Sequence, residues 1–372
     1  MRNFVKLLKT IIIITLVCLV IRLGILSFLD KYKVRKEEIA KFSDYYYMEL
    51  TDTQKEMYVR INNGVSNLDK KIVFSAGNED SKKEDLERVI EAYYNDHPEC
   101  FYLPYNYSIS NINLGVFKLS ILNLDYLVSD KTELQKMNNK LEEKVDEIIR
   151  DNITYSMTDY EKELKIHDVL VEKTSYYKYE DIDKIPEIKH TAYGALVENE
   201  AVCDGYSKAF MLILKKLNID TIIVSGMLDA VNHAWNIVNI NGEYYHVDVT
   251  SDNTEVKTKA VIHTYFNLTE NDILKSHEIS NMFTVPKCNS TKYNYYIYEG
   301  FYINSSGSLN SKLTDIISRQ KNSNVLELRY NENYNSQDLI NELYNLDFNL
   351  WKTKRYTNVE YFVVNDVYFF EK

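Results

Sequence analysis

"NHAWNIVNINGEYYHVDVT", residues 232–250, is two alternating runs that meet at Asn241-Gly242. An Asn-Gly pair between β-prone segments suits a two-residue hairpin, because both turn positions need a positive φ. That turn sets the register. Ile240 faces Glu243, and counting outward His233 faces Thr250 and Trp235 faces Asp248. His233 and Asp248 then become diagonal neighbours on one face, about 7–8 Å apart at the backbone. A hydrogen bond from His233 Nδ1–H to the Asp248 carboxylate is expected, and His246 falls on the same face, nearer the turn, as a second imidazole.

Working upstream, "IDTIIVSG" is a strand buried on both sides. Before it, "AVCDGYSKAF", residues 201–210, puts Cys203 where a helix begins. Tyr206, Phe210, Ile213 and Leu217 follow at helical spacing and Asn218 closes the run. A thiol at a helix N-terminus sits in a partial positive charge that favours the thiolate. Alone, such a cysteine is more often a small core residue. Joined by an imidazole to share the proton and a carboxylate to orient that imidazole, it has the parts of a thiol nucleophile.

The rest of the chain frames this core. Thr158 and Glu161 form a capping box for the helix "EKELKIHDVLVEKTSYY", on which His167 is a packed or partly exposed histidine. Residues 40–150 alternate helices with β-rich runs and offer no catalytic constellation; Glu142, Glu143 and Asp146 are a solvated helix face. After residue 254 the pattern alternates again: a strand "KYNYYIYEGFYI", a helix "LTDIISRQ", a strand "NVLELRY", a helix "SQDLINELYNL" and a hairpin "VEYFVVNDVYFF".

Charge and composition exclude some classes. The 372 residues carry a formal charge of −11, but the first 36 hold eight Lys/Arg against Asp30, which leaves 36 basic and 54 acidic residues in the body. An acidic body is a poor partner for nucleic acid, whose binding rests on neutralising phosphates. The apolar run from Ile11 to Leu29, broken only by Arg22, is long enough to cross a bilayer if Arg22 snorkels. Basic residues flank it on both sides, and a cleaved signal segment is the alternative. Cys18, Cys100, Cys203 and Cys288 show neither C-x-x-C spacing nor disulfide density; Cys100 and Cys288 are either two unrelated thiols or, in an exported body, a pair.

The segments "YEKELKIHDVLVEKTSYY", "HTAYGALVENEAVCDGYSKAF" and "SGMLDAVNHAWNIVNINGEYYHVDVT" resemble the bacterial transglutaminase-like superfamily over residues 158–252. "DHPECFYLPYNY" and "PKCNSTKYNYY" also resemble flanking segments of its clostridial-type members, which carry an N-terminal membrane segment. The resemblance implies a papain-like core with nucleophile, base and orienting acid at Cys203, His233 and Asp248, the residues reached above. One departure is "TSDNT" after the acid, where many relatives have a Trp followed by acidic residues and Pro. The Cys203 backbone amide is one oxyanion donor, with Tyr193, His190 and Asn199 as candidates for another.

The expected architecture is α+β: a papain/transglutaminase-like core, with the Cys-bearing helix packed on an antiparallel sheet, between N- and C-terminal α+β accessory regions. Its segments are a membrane anchor or signal at 1–36, an accessory region at 37–150, the core at 151–253 and a C-terminal region at 254–372. The expected activity is acyl transfer or hydrolysis on peptide or protein amides, cell-wall peptides among them, by a protein tethered with its body outside. The alternative is a catalytically silent binding module at the cell surface. No metal, nucleotide or flavin motif is visible, so no cofactor is expected.

Overall fold

The computed structural model describes residues 36–76, 79–113, 118–254, 261–304, 309–346 apart from 322, 324, 332 and 334, then 361–364 and 366–371, with Lys9, Ile12, Ile13, Thr15 and Val34. Cys18 and the apolar run from Ile11 to Leu29 lie outside the described residues, except for Ile12, Ile13 and Thr15. Among the described residues no helix is long and apolar enough to cross a membrane. The chain divides into two compact units, Met1–Asp96 with Asn106–Tyr126, and His97–Tyr105 with Leu127–Lys372.

In the first unit, Thr51 and Gln54 form a reciprocal capping box that starts α1 (Asp52–Asn67). α1 is followed by β1 (Lys71–Ala76) and α2 (Glu79–Asp96), then β2 (Tyr107–Asn113) and β3 (Lys118–Leu124). The three strands make an antiparallel sheet in the order β1-β3-β2.

The second unit begins with α3 (Lys131–Asn152) and α4 (Asp159–Lys173), the latter started by the Thr158–Glu161 capping box. β4 (Ser175–Tyr176) lies parallel to β5 (Glu200–Ala201), with α5 (Ala192–Leu196) between them in sequence. α6 (Cys203–Lys216) follows at once. β6 (Thr221–Leu228), β7 (Val231–Ile240) and β8 (Glu243–Val247) are antiparallel neighbours. The β7–β8 turn has Asn241 at φ 54° and Gly242 at φ 86°, as the Asn-Gly pair requires. Its register pairs Ile240 with Glu243 and Ile237 with His246. β9 (His277–Ile279) adds to the far side of β6, giving the order β8-β7-β6-β9.

α6 packs on β6 and β7 and buries Tyr206, Phe210, Ile213 and Leu214 in a core shared with Val238 and Val247. This is the α+β papain/transglutaminase-like arrangement, a Cys-bearing helix on an antiparallel sheet. A second sheet, in the order β10-β11-β13-β12, contains β10 (Tyr302–Ile303), β11 (Val325–Tyr330), β12 (Tyr361–Val364) and β13 (Val367–Glu371). α8 (Leu309–Arg319) and α9 (Ser336–Asn345) share its core.

Two expectations are corrected. The aromatic run "KYNYYIYEGFYI" is not one strand: Tyr295–Tyr298 is a short helix, and Gly300 at φ 74° turns the chain before β10. The alternating tyrosines imitate period two, yet Asn294 and Gly300 bracket a single turn. The hairpin ladder also ends at Asn236–Val247, so the pairs His233–Thr250 and Trp235–Asp248 do not form. Asp248 Oδ1 accepts the amides of Thr250 (3.0 Å) and Ser251 (3.1 Å) and caps α7 (Val249–Thr254). An Asp that caps a helix competes with continuation of the strand.

Candidate active site

Cys203 is the first residue of α6, partly exposed in a chain that is otherwise buried around it. Gly205, two residues on, permits the placement: a Cβ there would lie 2.7 Å from the Lys189 carbonyl and 2.6 Å from Ala201 Cβ. Segment 187–191 therefore closes over the start of the helix. Among the described residues nothing in the chain accepts the Cys203 amide, as expected for the first turn of a helix.

Ser207 and Asn236 fix this helix start against β7. Ser207 Oγ is 2.9 Å from the Ala234 carbonyl, next to His233, and 2.9 Å from the Cys203 carbonyl. Asn236 Nδ2 reaches back to the Ser207 carbonyl (3.1 Å) and across to that of Ile222 (3.2 Å). Two of these contacts tie α6 to the strand carrying the imidazole, one runs within α6 to the residue carrying the sulfur, and one ties β7 to β6.

His233 Nε2 is 2.7 Å from Asp248 Oδ2, which leaves Nδ1 for the sulfur of Cys203, a group close enough to act on the charge of the ring. The contact to Asp248 is made by Nε2 and not by Nδ1 as the register count suggested. Asp248 lies beyond the end of the ladder, and the far nitrogen of the ring is the one that reaches it. Burial works against an imidazolium here, but the charge and hydrogen bond of Asp248, with the contact to Cys203, outweigh it and push the His233 pKa up to about 11.

Asp248 is fully buried. Besides the two amides on Oδ1, its Oδ2 accepts from His233, from Ser251 Oγ (2.5 Å) and from His277 Nε2 (3.0 Å). Burial raises its pKa, yet the two imidazoles hold it well below the usual carboxylate range. The carboxylate is ionised and fully occupied.

His246 is a different case. It is buried on the same face as His233, and Trp235 Nε1 donates to its Nδ1 at 3.0 Å. Burial, with the charges of His277 and Lys287, pushes its pKa down to about 3. This imidazole is neutral and held by the indole, so it is no second base.

The other oxyanion candidates are scattered. Tyr193 lies in the core against Phe101, ring centroids 4.9 Å apart. Asn199 is in an exposed turn at φ 56°. His190 is bound to Asp204 Oδ2 at 2.8 Å and stacked on Tyr105 at 4.1 Å. Tyr176 was not singled out by the sequence. β4 pairs it with Ala201, two residues before Cys203, and burial together with the charge of Cys203 raises the pKa of its phenol. A two-residue parallel bridge leaves no pattern to read. His277 was missed because β9 is three residues long, and Ser251 because the strand was carried too far.

Cys100 and Cys288 do not form a disulfide. Cys100 Sγ is 3.8 Å from the Tyr102 hydroxyl, and Cys288 Sγ is 3.8 Å from the Pro286 carbonyl. Burial, with the nearby Glu270, pushes the Cys288 thiol up to about 12.

Residues 146–249 match the family model of the transglutaminase-like superfamily, so this segment is a transglutaminase-like domain. Among solved structures, the chain is similar to a TGase (15% identity, 50% of this chain and 52% of that one, TM-score 0.29). It is also similar to a candidate cysteine protease from Cytophaga hutchinsonii (12% identity, 39% and 62%, TM-score 0.25). A third similarity is to menin, in a structure revealing its binding site for the Mixed Lineage Leukemia protein (13% identity, 50% and 42%, TM-score 0.25). The chain spans about half the length of the TGase it matches. A search of curated proteins finds no match.

Proposed function

We propose that the transglutaminase-like domain is a thiol acyltransferase or amidase acting on peptide or protein amides, with Cys203 as nucleophile, His233 as base and acid, and Asp248 as the group that orients His233. The observation that carries this reading is the position of the His233 ring, with Nε2 on a buried, saturated carboxylate and its other side against a thiol at a helix N-terminus. The Cys203 thiolate attacks the amide carbonyl, and the Cys203 amide, with the Tyr176 hydroxyl as the second donor, receives the oxyanion. His233 gives its proton to the departing nitrogen as the C–N bond breaks and a thioester forms. Water or an amine then attacks the thioester, His233 takes up the incoming proton, and the thiolate leaves.

Membrane tethering with the body outside is part of the proposal. It rests on the Ile11–Leu29 run and would give the site access to wall or secreted peptides.

Intact-mass analysis after incubation with a panel of peptide and cell-wall amides tests the chemistry. An acyl adduct on Cys203, absent in Cys203→Ala and His233→Ala, is expected. Folded protein that forms no adduct and turns over no amide would favour the surface binding module instead.

A further inference from the structure

A second buried cluster stands apart from Cys203. His167 and Asp168 come from α4 and His263 from the segment beginning at residue 261. His167 Nδ1 is 3.1 Å and His263 Nε2 2.9 Å from the same oxygen, Asp168 Oδ1. The three donor atoms lie within 4.8 Å of one another. His167 is fully buried and His263 nearly so, while the Asp168 side chain keeps 27% of its exposure.

Each imidazole turns its other nitrogen to a second carboxylate. His167 Nε2 is 3.0 Å from Asp252 Oδ2, and His263 Nδ1 is 2.7 Å from Glu327 Oε1. Those carboxylates are themselves held. Asp252 accepts the Tyr265 amide at 3.0 Å, and Glu327 Oε2 accepts the Tyr296 hydroxyl at 2.9 Å. Tyr295 stacks on the His263 ring with centroids 3.8 Å apart. A cation that displaces the protons which the surrounding carboxylates favour on both rings would find the inner nitrogens aimed at one point beside Asp168, with the outer nitrogens keeping N–H toward Asp252 and Glu327. A carboxylate on the far nitrogen of each histidine is the usual support for imidazoles that bind a metal. The cluster at Asp248 lacks it, since the other nitrogen of His277 meets the Ser276 hydroxyl and that of His233 meets the Cys203 thiol.

We propose that His167, Asp168 and His263 form a site for a divalent first-row metal ion of the zinc class, held by two imidazole nitrogens and one carboxylate oxygen. Two nitrogens in three donors select such an ion over calcium or magnesium. The partly exposed side of Asp168 leaves a fourth position for water, in keeping with tetrahedral zinc. One dication there more than offsets the single charge of Asp168, with the Asp252 and Glu327 carboxylates close behind the two imidazoles, and joins three parts of the second unit: α4, the segment at His263 and, through Glu327, β11. Through Asp252, one turn after Asp248 on α7, it also steadies the helix whose cap orients His233. The site takes residues 95 positions apart, which is why no ligand spacing shows in the sequence.

The test uses the full chain as Cys203→Ala, so that the thiol binds no metal and the result does not depend on acyl chemistry. The protein is stripped with a chelator and titrated with zinc, and with cobalt(II) to read coordination by its visible spectrum. One equivalent should bind, at least tenfold more weakly in Glu327→Gln and more weakly still in His263→Gln. Asp168→Asn keeps the side-chain size and serves if His263→Gln does not fold; it too should lose at least tenfold. Absence of zinc binding to the Cys203→Ala chain, or binding unchanged in Asp168→Asn, would overturn the proposal and leave a network bridged by protons.

Discussion

His233 Nε2 and Asp248 Oδ2 are 2.7 Å apart although the ladder between their strands ends at Asn236–Val247. The carboxylate reaches the ring as the cap of α7 and not as a cross-strand neighbour. One oxygen receives two backbone amides and the other receives two imidazoles and a hydroxyl. An acid fixed in this way can hold a ring in one orientation through repeated proton transfers.

The pair has a defined pH signature. The folded-state pKa of His233 is raised to about 11, from an unfolded value of about 6.5. Its contribution to stability is therefore complete below about pH 6.5 and is lost as pH rises through about 11. Thermal unfolding of wild type and His233→Gln across this range should show the advantage of the wild type shrinking steadily with pH. A constant difference would mean that His233 is not charged in the fold.

His277 shares the carboxylate without touching the sulfur. His277→Ala removes a buried, charge-assisted hydrogen bond and should cost about 1.5–3 kcal/mol. Alkylation of Cys203 should stay within about tenfold of wild type, a factor that corresponds to about 1.4 kcal/mol. A loss as large as that of His233→Ala would place His277 in the chemistry itself.

Ser207 ties the helix of the thiol to the strand of the imidazole. Ser207→Ala leaves the buried Ala234 carbonyl short of a donor, at a cost of about 1–2 kcal/mol. In a body of this size that lowers Tm by roughly 2–6 °C. An unchanged Tm would show that the contact is not part of what positions the site.

Much of this was legible because it is local. Asn241-Gly242 specified a turn and its register, Thr158-Glu161 a helix start, and the spacing of Tyr206, Phe210 and Ile213 a helix with Cys203 at its head. The contacts that were not legible are made by short elements brought in from a distance. His277 reaches Asp248 from a three-residue strand, and Tyr176 is set near the start of α6 by a two-residue bridge to Ala201. Asp248 itself carried a readable signal that the strand pattern obscured: "DVTS" is a helix cap as well as the end of an alternating run. Neutrality of His246 depends on Trp235 and on burial, which alternation alone does not reveal.

The proposed chemistry needs an imidazolium facing the Cys203 sulfur at neutral pH, and the pH dependence of alkylation measures it. Iodoacetamide should label Cys203 at pH 6 at a rate within about tenfold of that at pH 8, while Cys288, buried and shifted up to about 12, stays unlabelled in the folded protein. His233→Ala should slow labelling at pH 6 by at least about tenfold. A rate that climbs about tenfold per pH unit from 6 to 8, as for an ordinary thiol, and that is unchanged in His233→Ala would contradict the account.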